Sequence, residues 1–297
     1  MPLPPSLLAP TARLERVATG AAWSEGPLWL PRLGVLRWSD IPNDRILAYR
    51  PSDRSQRVHR DQVEFTNGRT LDLDGRVVRC SHGRRRLEWD NDPAPIGIVD
   101  RWNGARLNSP NDVVVARDGA IWFSDPPYGI TQPNEGHRGV REYGDHYVFR
   151  HDVPTALTTA VVVDVEEPNG LAFSPGEDVL YVADSSAVRR PHGVGNHHIR
   201  AYDVIDRRRC KNGRVFAVID HGFPDGIRVD LHGNVWSSAA DGVHVFSPDG
   251  EELGGISVPE LVGNLCFGGP DGTDLYVAAS TSIYRIATEV RDAAPHF

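Results

Sequence analysis

The chain has 297 residues, 40% of them hydrophobic, and a formal net charge of -8. That length supports a large core in one domain or two, and the acidic balance excludes nucleic acid as the main partner, because phosphate binding needs a basic face. Three cysteines, Cys80, Cys210 and Cys266, with no CxxC pair exclude a disulfide framework and a thiolate zinc site, and they fit a reducing compartment.

The N-terminus, MPLPPSLLAP, has no basic segment, and proline breaks its short apolar run. It predicts neither a signal peptide nor a membrane span. The first ~13 residues are expected to be extended or loosely ordered, and the protein to be soluble and cytoplasmic. With 29 Gly and 23 Pro, and no window patterned as a capped amphipathic helix, the rest predicts a turn-rich β protein.

Six related phrases follow in chain order. They are SEGPLWLPRLGVLRWSD (24–40), FTNGRTLDLDGRVVRCSH (65–82), SPNDVVVARDGAIWFSD (109–125), EEPNGLAFSPGEDVLYVAD (166–184), FPDGIRVDLHGNVWSSA (223–239) and VGNLCFGGPDGTDLYVAAS (262–280). Each has a polar leader, a short apolar strand, a turn with glycine and a second apolar strand. The leaders Glu25, Asn67, Asn111, Asn169, Asp225 and Asn264 are separated by 42, 44, 58, 56 and 39 residues. A period of roughly 40–50 residues built on strand pairs is the signature of a β-propeller. Six copies predict an all-β, six-bladed β-propeller in one domain spanning 1–297. The two long intervals hold face-loop insertions around 128–147 and 185–198.

The turns agree. Asp74-Gly75, Asp118-Gly119, His232-Gly233 and Asp271-Gly272 sit where hairpins need positive φ. Strands such as Val113–Val115 are β-branched and apolar throughout, as strands between packed blades should be. Pro27, Pro110, Pro168 and Pro224 flank the leaders at the strand mouths, where they remove no interior ladder bond.

In a propeller the innermost strand of each blade lines a central channel, so six equivalent leaders converge on one axis. Two acids and four amides form a ring of oxygens suited to a hard cation. Calcium, with its flexible oxygen shell, fits best; magnesium wants stricter geometry, and zinc prefers the His and Cys that the ring lacks. The second strand returns to the same mouth, which predicts that Asp40, His82, Asp125, Asp184 and Asp241 surround the ion in an acid-rich pocket. Asp125 and Asp184 could instead cap loops through Asx hydrogen bonds.

These strings, together with LYVADS, PPYGI and NLCFGG, resemble the bacterial gluconolactonases of the SMP-30/gluconolactonase/regucalcin-like family over about residues 14–287. The resemblance implies a six-bladed propeller with one divalent metal in its central channel that hydrolyses sugar lactones. Calcium is common there, and magnesium or zinc is accepted by some members. It also implies that Glu25, Asn169 and Asp225 bind the metal and that Asn111 touches metal, water or substrate. The sequence departs from the animal members at Ser109, where they carry an arginine that grips the lactone. Arg106 and Asn108 are the nearby substitutes.

A lactone is a cyclic ester, so its hydrolysis needs a polarised carbonyl and an activated water. The expected base is Asp225, with His82 as the alternative. Asn67, Asn108 and Asn264 are expected to bond sugar hydroxyls, and Asp125 and Tyr128 to shape the substrate pocket. No GxSxG, GxGxxG or P-loop occurs, which argues against an acyl-serine enzyme or a nucleotide cofactor. The partner is a small sugar lactone, with no nucleic acid and no membrane, and the protein a monomer or homodimer. Two rivals remain: a phosphotriesterase on the same fold, and a non-catalytic propeller serving as interaction platform or calcium buffer.

Overall fold

The computed structural model describes residues 1–191 and 193–294. Six four-stranded antiparallel sheets run in chain order around a common axis. Blade 1 holds Ser24–Leu30, Val35–Asp40, Arg45–Arg50 and Ser55–Asp61. Blade 2 holds Thr66–Leu71, Val77–Ser81, Arg86–Trp89 and Ile96–Val99. Blade 3 holds Val113–Val115, Ile121–Asp125, Tyr147–Asp152 and Leu157–Val162. Blade 4 holds Pro168–Phe173, Val179–Asp184, His198–Ile205 and Arg209–Val218. Blade 5 holds Ile227–Val229, Val235–Ala239, Gly242–Phe246 and Glu252–Ser257.

Blade 6 closes the ring. Its inner strands Val262–Gly268, Asp274–Ala279 and Ser282–Ala287 pair in order, and its outermost strand is Glu15–Thr19 from the other end of the chain. Closure leaves no open seam between the first and last blades. Residues before this strand are not loose, as the sequence had suggested. Leu3 and Leu7 are buried in the core between blades 5 and 6, and Leu8 bridges Thr288. Apolar side chains in a terminal segment order it when they find a core to cover.

The hairpin glycines Gly75, Gly119, Gly233 and Gly272 take φ of 80, 82, 85 and 72°. The cores lie between blades, each fed by the alternate faces of two sheets. Trp29 stacks on Tyr276 where blade 1 meets blade 6. The contact of blades 1 and 2 differs. Its apolar cluster is small, and beside it the buried Arg79 pairs with the buried Glu88 at 2.7 Å and with the half-buried Asp90 at 3.1 Å. No described helix is long and apolar enough to cross a membrane.

Both predicted insertions rise on the face where the inner strands begin. The first carries a short helix, Tyr128–Thr131, and the second a helical turn, Ser186–Arg189.

Candidate functional site

Four of the six leaders are turned into the channel by a local defect in their strand, while Asn111 and Asp225 lie in the loop just before theirs. In blade 1 Glu25 faces Ser39 and Leu28 faces Arg37, so the inner strand spends one residue more than its partner. The same slip falls between Thr66 and Arg69, between Pro168 and Leu171, and between Val262 and Asn264. Such a bulge re-aims one side chain while the ladder continues.

The glycine beside the leader answers to the next blade. A Cβ on Gly26 would sit 2.3 Å from the Asn67 carbonyl oxygen, one on Gly68 2.5 Å from that of Asn111, and one on Gly170 2.2 Å from that of Asp225. Backbone hydrogen bonds stitch the same places: Gly68 N donates to Asn111 O at 2.8 Å, Gly170 N to Asp225 O at 3.0 Å and Gly226 N to Gly263 O at 2.8 Å. Glycine here permits close approach of backbones around the axis.

All six leaders therefore meet on one floor. Asn67 donates its amide to Asn111 Oδ1, and Asn111 donates to Asn169 Oδ1 at 3.0 Å. Asn264 donates to Glu25 Oε2 at 3.1 Å, which also accepts Gly26 N at 2.8 Å. Glu25 Oε1 and Asn67 Oδ1 are buried and have no hydrogen-bond partner. Buried polar atoms are rarely left so. Burial, with the charges of Glu25, Asp112 and Glu135 behind it, pushes the Asp225 carboxyl well above its ordinary range, and burial raises Glu25 too. Two acids held against ionisation beside free oxygens make a floor that a cation would complete. Among the described residues no group of three or more His, Cys, Asp or Glu could hold a metal. The floor has only two acids, and amide oxygens would supply the rest of a hard cation's shell.

Above the floor lies a cavity of about 310 Å³. Glu25, Asn67, Asn111, Asn169 and Asp225 form its base, and Tyr128, Gln132 and Glu135 from the first insertion stand on one side. Trp23, Ile41, Val188, Phe223 and Leu261 make apolar walls. The sequence reading had named Tyr128 but missed the other wall residues, because loops carry no repeat. The two long intervals were the available signal for Gln132, Glu135 and Val188.

Several predicted groups sit elsewhere. His82 is fully buried and does not line the cavity. Its Nδ1 lies 2.9 Å from the Glu135 carbonyl, which can only accept, so Nδ1 carries the proton. Nε2 then accepts from the Asn67 amide at 3.3 Å, and burial pushes the ring down to about 4. Asn264 is occupied by Glu25 and by Leu265 N at 2.8 Å. Asn108 is buried and bonds Asp125 O, Tyr143 OH and Asp145 O.

The second-strand acids are loop latches. Asp40 accepts Ala22 N and Trp23 N, Asp125 accepts Asn108 N and Ser109 N, and Asp184 accepts Glu166 N and Glu167 N. In each blade these are the amides two and three residues before the leader, so the acid fixes the loop that delivers it. The expected acid-rich pocket is thus corrected: Asp40, Asp125 and Asp184 share the mouth but spend their oxygens on backbone. Asp241 faces the blade edge and bonds His244 at 2.9 Å. Ser109 leaves no room for the animal-type arginine. It is fully buried, donating to Pro126 O at 2.7 Å and accepting Gly129 N at 3.0 Å. Arg106 points to the Arg84 carbonyl at 3.4 Å, away from the cavity.

Comparison with known proteins agrees with the fold. Residues 23–281 match the family model described as SMP-30/Gluconolactonase/LRE-like region. A gluconolactonase of Zymomonas mobilis is 30% identical over 96% of this chain and 83% of its own. A 6-deoxy-6-sulfogluconolactonase of Pseudomonas putida is 28% identical over 90% of this chain and 86% of its own. The solved structure of a gluconolactonase from Xanthomonas campestris superposes with a TM-score of 0.88 at 37% identity, covering 96% of this chain and 91% of that one. With a match from the first blade to the last and the fold in common, the chain belongs to the SMP-30/gluconolactonase/LRE-like family.

Proposed function

We propose that the protein hydrolyses a sugar lactone of the gluconolactone type to the aldonic acid, using one divalent cation held on the channel floor, calcium first with magnesium or zinc as alternatives. The observation that carries this is the floor itself: two acids, Glu25 buried and Asp225 half-buried, and amide oxygens from separate blades, two of the oxygens unpartnered, beneath a cavity the size of a sugar. The relatives named as lactonases supply the substrate class.

Glu25, Asn169, Asp225 and Asn111 would hold the ion. When bound, the cation supplies Lewis-acid polarisation of a carbonyl. Asp225 faces the cavity and takes the proton of the water that attacks the lactone carbon. His82 does not meet that water. By holding one Asn67 amide hydrogen it keeps Asn67 Oδ1 free toward the cavity, where it accepts a substrate hydroxyl. Tyr128 OH, buried and without a hydrogen-bond partner, offers a second contact. The apolar walls cover the carbon face of the sugar ring and exclude bulk water. Asn108, Asn264 and Asp125 support the site by holding Glu25 and the loops around it.

The test is a pH-indicator assay on δ-gluconolactone and a phosphotriester side by side. Metal is stripped first, then Ca²⁺, Mg²⁺, Zn²⁺ and Mn²⁺ are added in turn. Lactone turnover should vanish on stripping and return with metal, and Asp225→Ala should lower it by about 10²–10⁴-fold. Full activity after exhaustive chelation would remove the metal from the mechanism, and turnover of the phosphotriester alone would replace the substrate class.

A further inference from the structure

Glu135 stands on the cavity wall and lies outside the floor and outside the repeat. We infer that its carboxylate makes the cavity selective for uncharged lactones and against lactones carrying a phosphate, sulfonate or second carboxylate. This rests on the lactonase reading and deepens it.

No Lys, Arg or His is among the described residues lining the cavity. A divalent cation on the floor would balance the charges of Glu25 and Asp225. Burial raises the Glu135 carboxyl to about 7, with Arg189 pulling it back, so above that pH Glu135 is an anion on the cavity wall outside the floor. Arg189, whose charge reaches Glu135, is itself paired with Glu167 at 3.3 Å, and Arg190 pairs with Glu166. Among the described residues the Glu135 carboxylate has no ion-pair or hydrogen-bond partner of its own.

The wall that presents it is built rather than loose. The Glu135 carbonyl accepts His82 Nδ1–H at 2.9 Å. The backbone then presses onto the short helix, for a Cβ on Gly136 would fall 2.2 Å from Gly129 O, and Gly139 N donates to Ile130 O at 3.1 Å. His137, next along, meets Glu64 at 3.0 Å. A cavity of 310 Å³ is roughly 8 Å across if spherical, so an anionic substituent within it lies within about one Debye length of Glu135 at 0.1 M salt. Like charges brought together with no counter-ion are the means by which a site rejects a close analogue.

The experiment compares kcat/KM for δ-gluconolactone, an uncharged 6-O-methyl analogue, and the 6-phosphorylated and 6-sulfonated analogues, on the metal-loaded protein at pH 8, where Glu135 is ionised. The charged pair should be at least ~10-fold poorer than the 6-O-methyl lactone, and the gap should shrink in 0.5 M salt. Glu135→Gln keeps a polar amide in place and should narrow the charged-to-uncharged ratio by ~10-fold, while Glu135→Lys should narrow it further or invert it. Residual turnover of δ-gluconolactone certifies that each variant is folded. The inference is overturned if the 6-O-methyl lactone is as poor as the charged pair, which would make the filter one of shape. It is also overturned if Glu135→Gln leaves the ratio where it was. Absence of turnover on every lactone by the wild type would instead overturn the lactonase reading.

Discussion

Replacing Gly170 by alanine tests why an Asn-Gly pair opens the inner strand. Gly170 has no left-handed φ to excuse it. A glycine in such a conformation usually gains ~0.4–1 kcal/mol on becoming alanine, through the unfolded chain. Here the new Cβ would lie 2.2 Å from Asp225 O and 2.9 Å from Gly226 Cα, whereas ordinary contact begins at 3.4 Å. Blades 4 and 5 must therefore part by about 1.2 Å at the floor, because both obstacles are backbone. Overpacking of this kind costs ~1–3 kcal/mol, for a net loss of about 1–2 kcal/mol. With an unfolding entropy of ~2.1 cal/mol/K per residue, 297 residues give about 0.6 kcal/mol/K, and the melting temperature should fall by about 2–3 °C. The larger effect falls on chemistry. The displaced carbonyl belongs to Asp225, and an ångström of misplacement costs ~10²-fold in rate. Calorimetry and lactone progress curves measure both. Gly176→Ala is the control, since its Cβ first meets the Asp178 carboxylate at 3.2 Å, a side chain that can move. If Gly170→Ala melts at or above wild type and keeps its turnover within threefold, the close-approach argument is wrong.

The latch acids and the floor acids should separate by stability. Asp125→Ala strands Asn108 N, Ser109 N and the Tyr143 hydroxyl, each costing ~1–3 kcal/mol, so its melting temperature should drop by about 5 °C or more. Asp225→Asn should instead melt at or above wild type in metal-free protein at pH 8, because it removes a buried charge held above its ordinary range. His82→Ala should lower kcat by ~10-fold with the shape of the pH profile intact, as expected of a positioning residue; loss of one limb of the profile would restore it as the base. The carboxyls of Glu25 and Asp225 are raised in the folded state, so the folded protein binds more protons than the unfolded chain. The stability they contribute is complete at acid pH and is lost as pH rises above the ordinary carboxylate range. Metal-free melts should therefore fall between pH 5 and pH 8, and added calcium should raise the melting temperature more at pH 8; a flat metal-free profile would contradict the shifts.

What was legible in the sequence is what the repeat enforces. Glu25, Asn67, Asn111, Asn169, Asp225 and Asn264 hold equivalent places in equivalent strands, so their spacing alone brings them to one floor. The latch acids were found by the same logic, and of the two tasks open to Asp125 and Asp184 it is loop capping that they perform. Asp40, Asp125 and Asp184 follow their leaders by 15, 14 and 15 residues, which places them at the mouth. Nothing in that spacing tells whether an oxygen faces the axis or the backbone behind it. The glycines after the leaders were invisible for another reason. Gly170 is constrained by Asp225, 55 residues on, and a contact between blades leaves no local pattern. The same holds for closure, where Glu15–Thr19 pairs with Ser282–Ala287 from the opposite end of the chain. Glu135 stands furthest from any repeat. Its place on the wall follows from one carbonyl bonded to His82 and from Gly136 lying against the short helix. The floor is what six blades have in common, and the wall joins blade-mouth residues such as Trp23, Ile41, Phe223 and Leu261 to what two insertions add. The proposed metal chemistry therefore rests on the repeat, and the proposed choice among lactones on the loops.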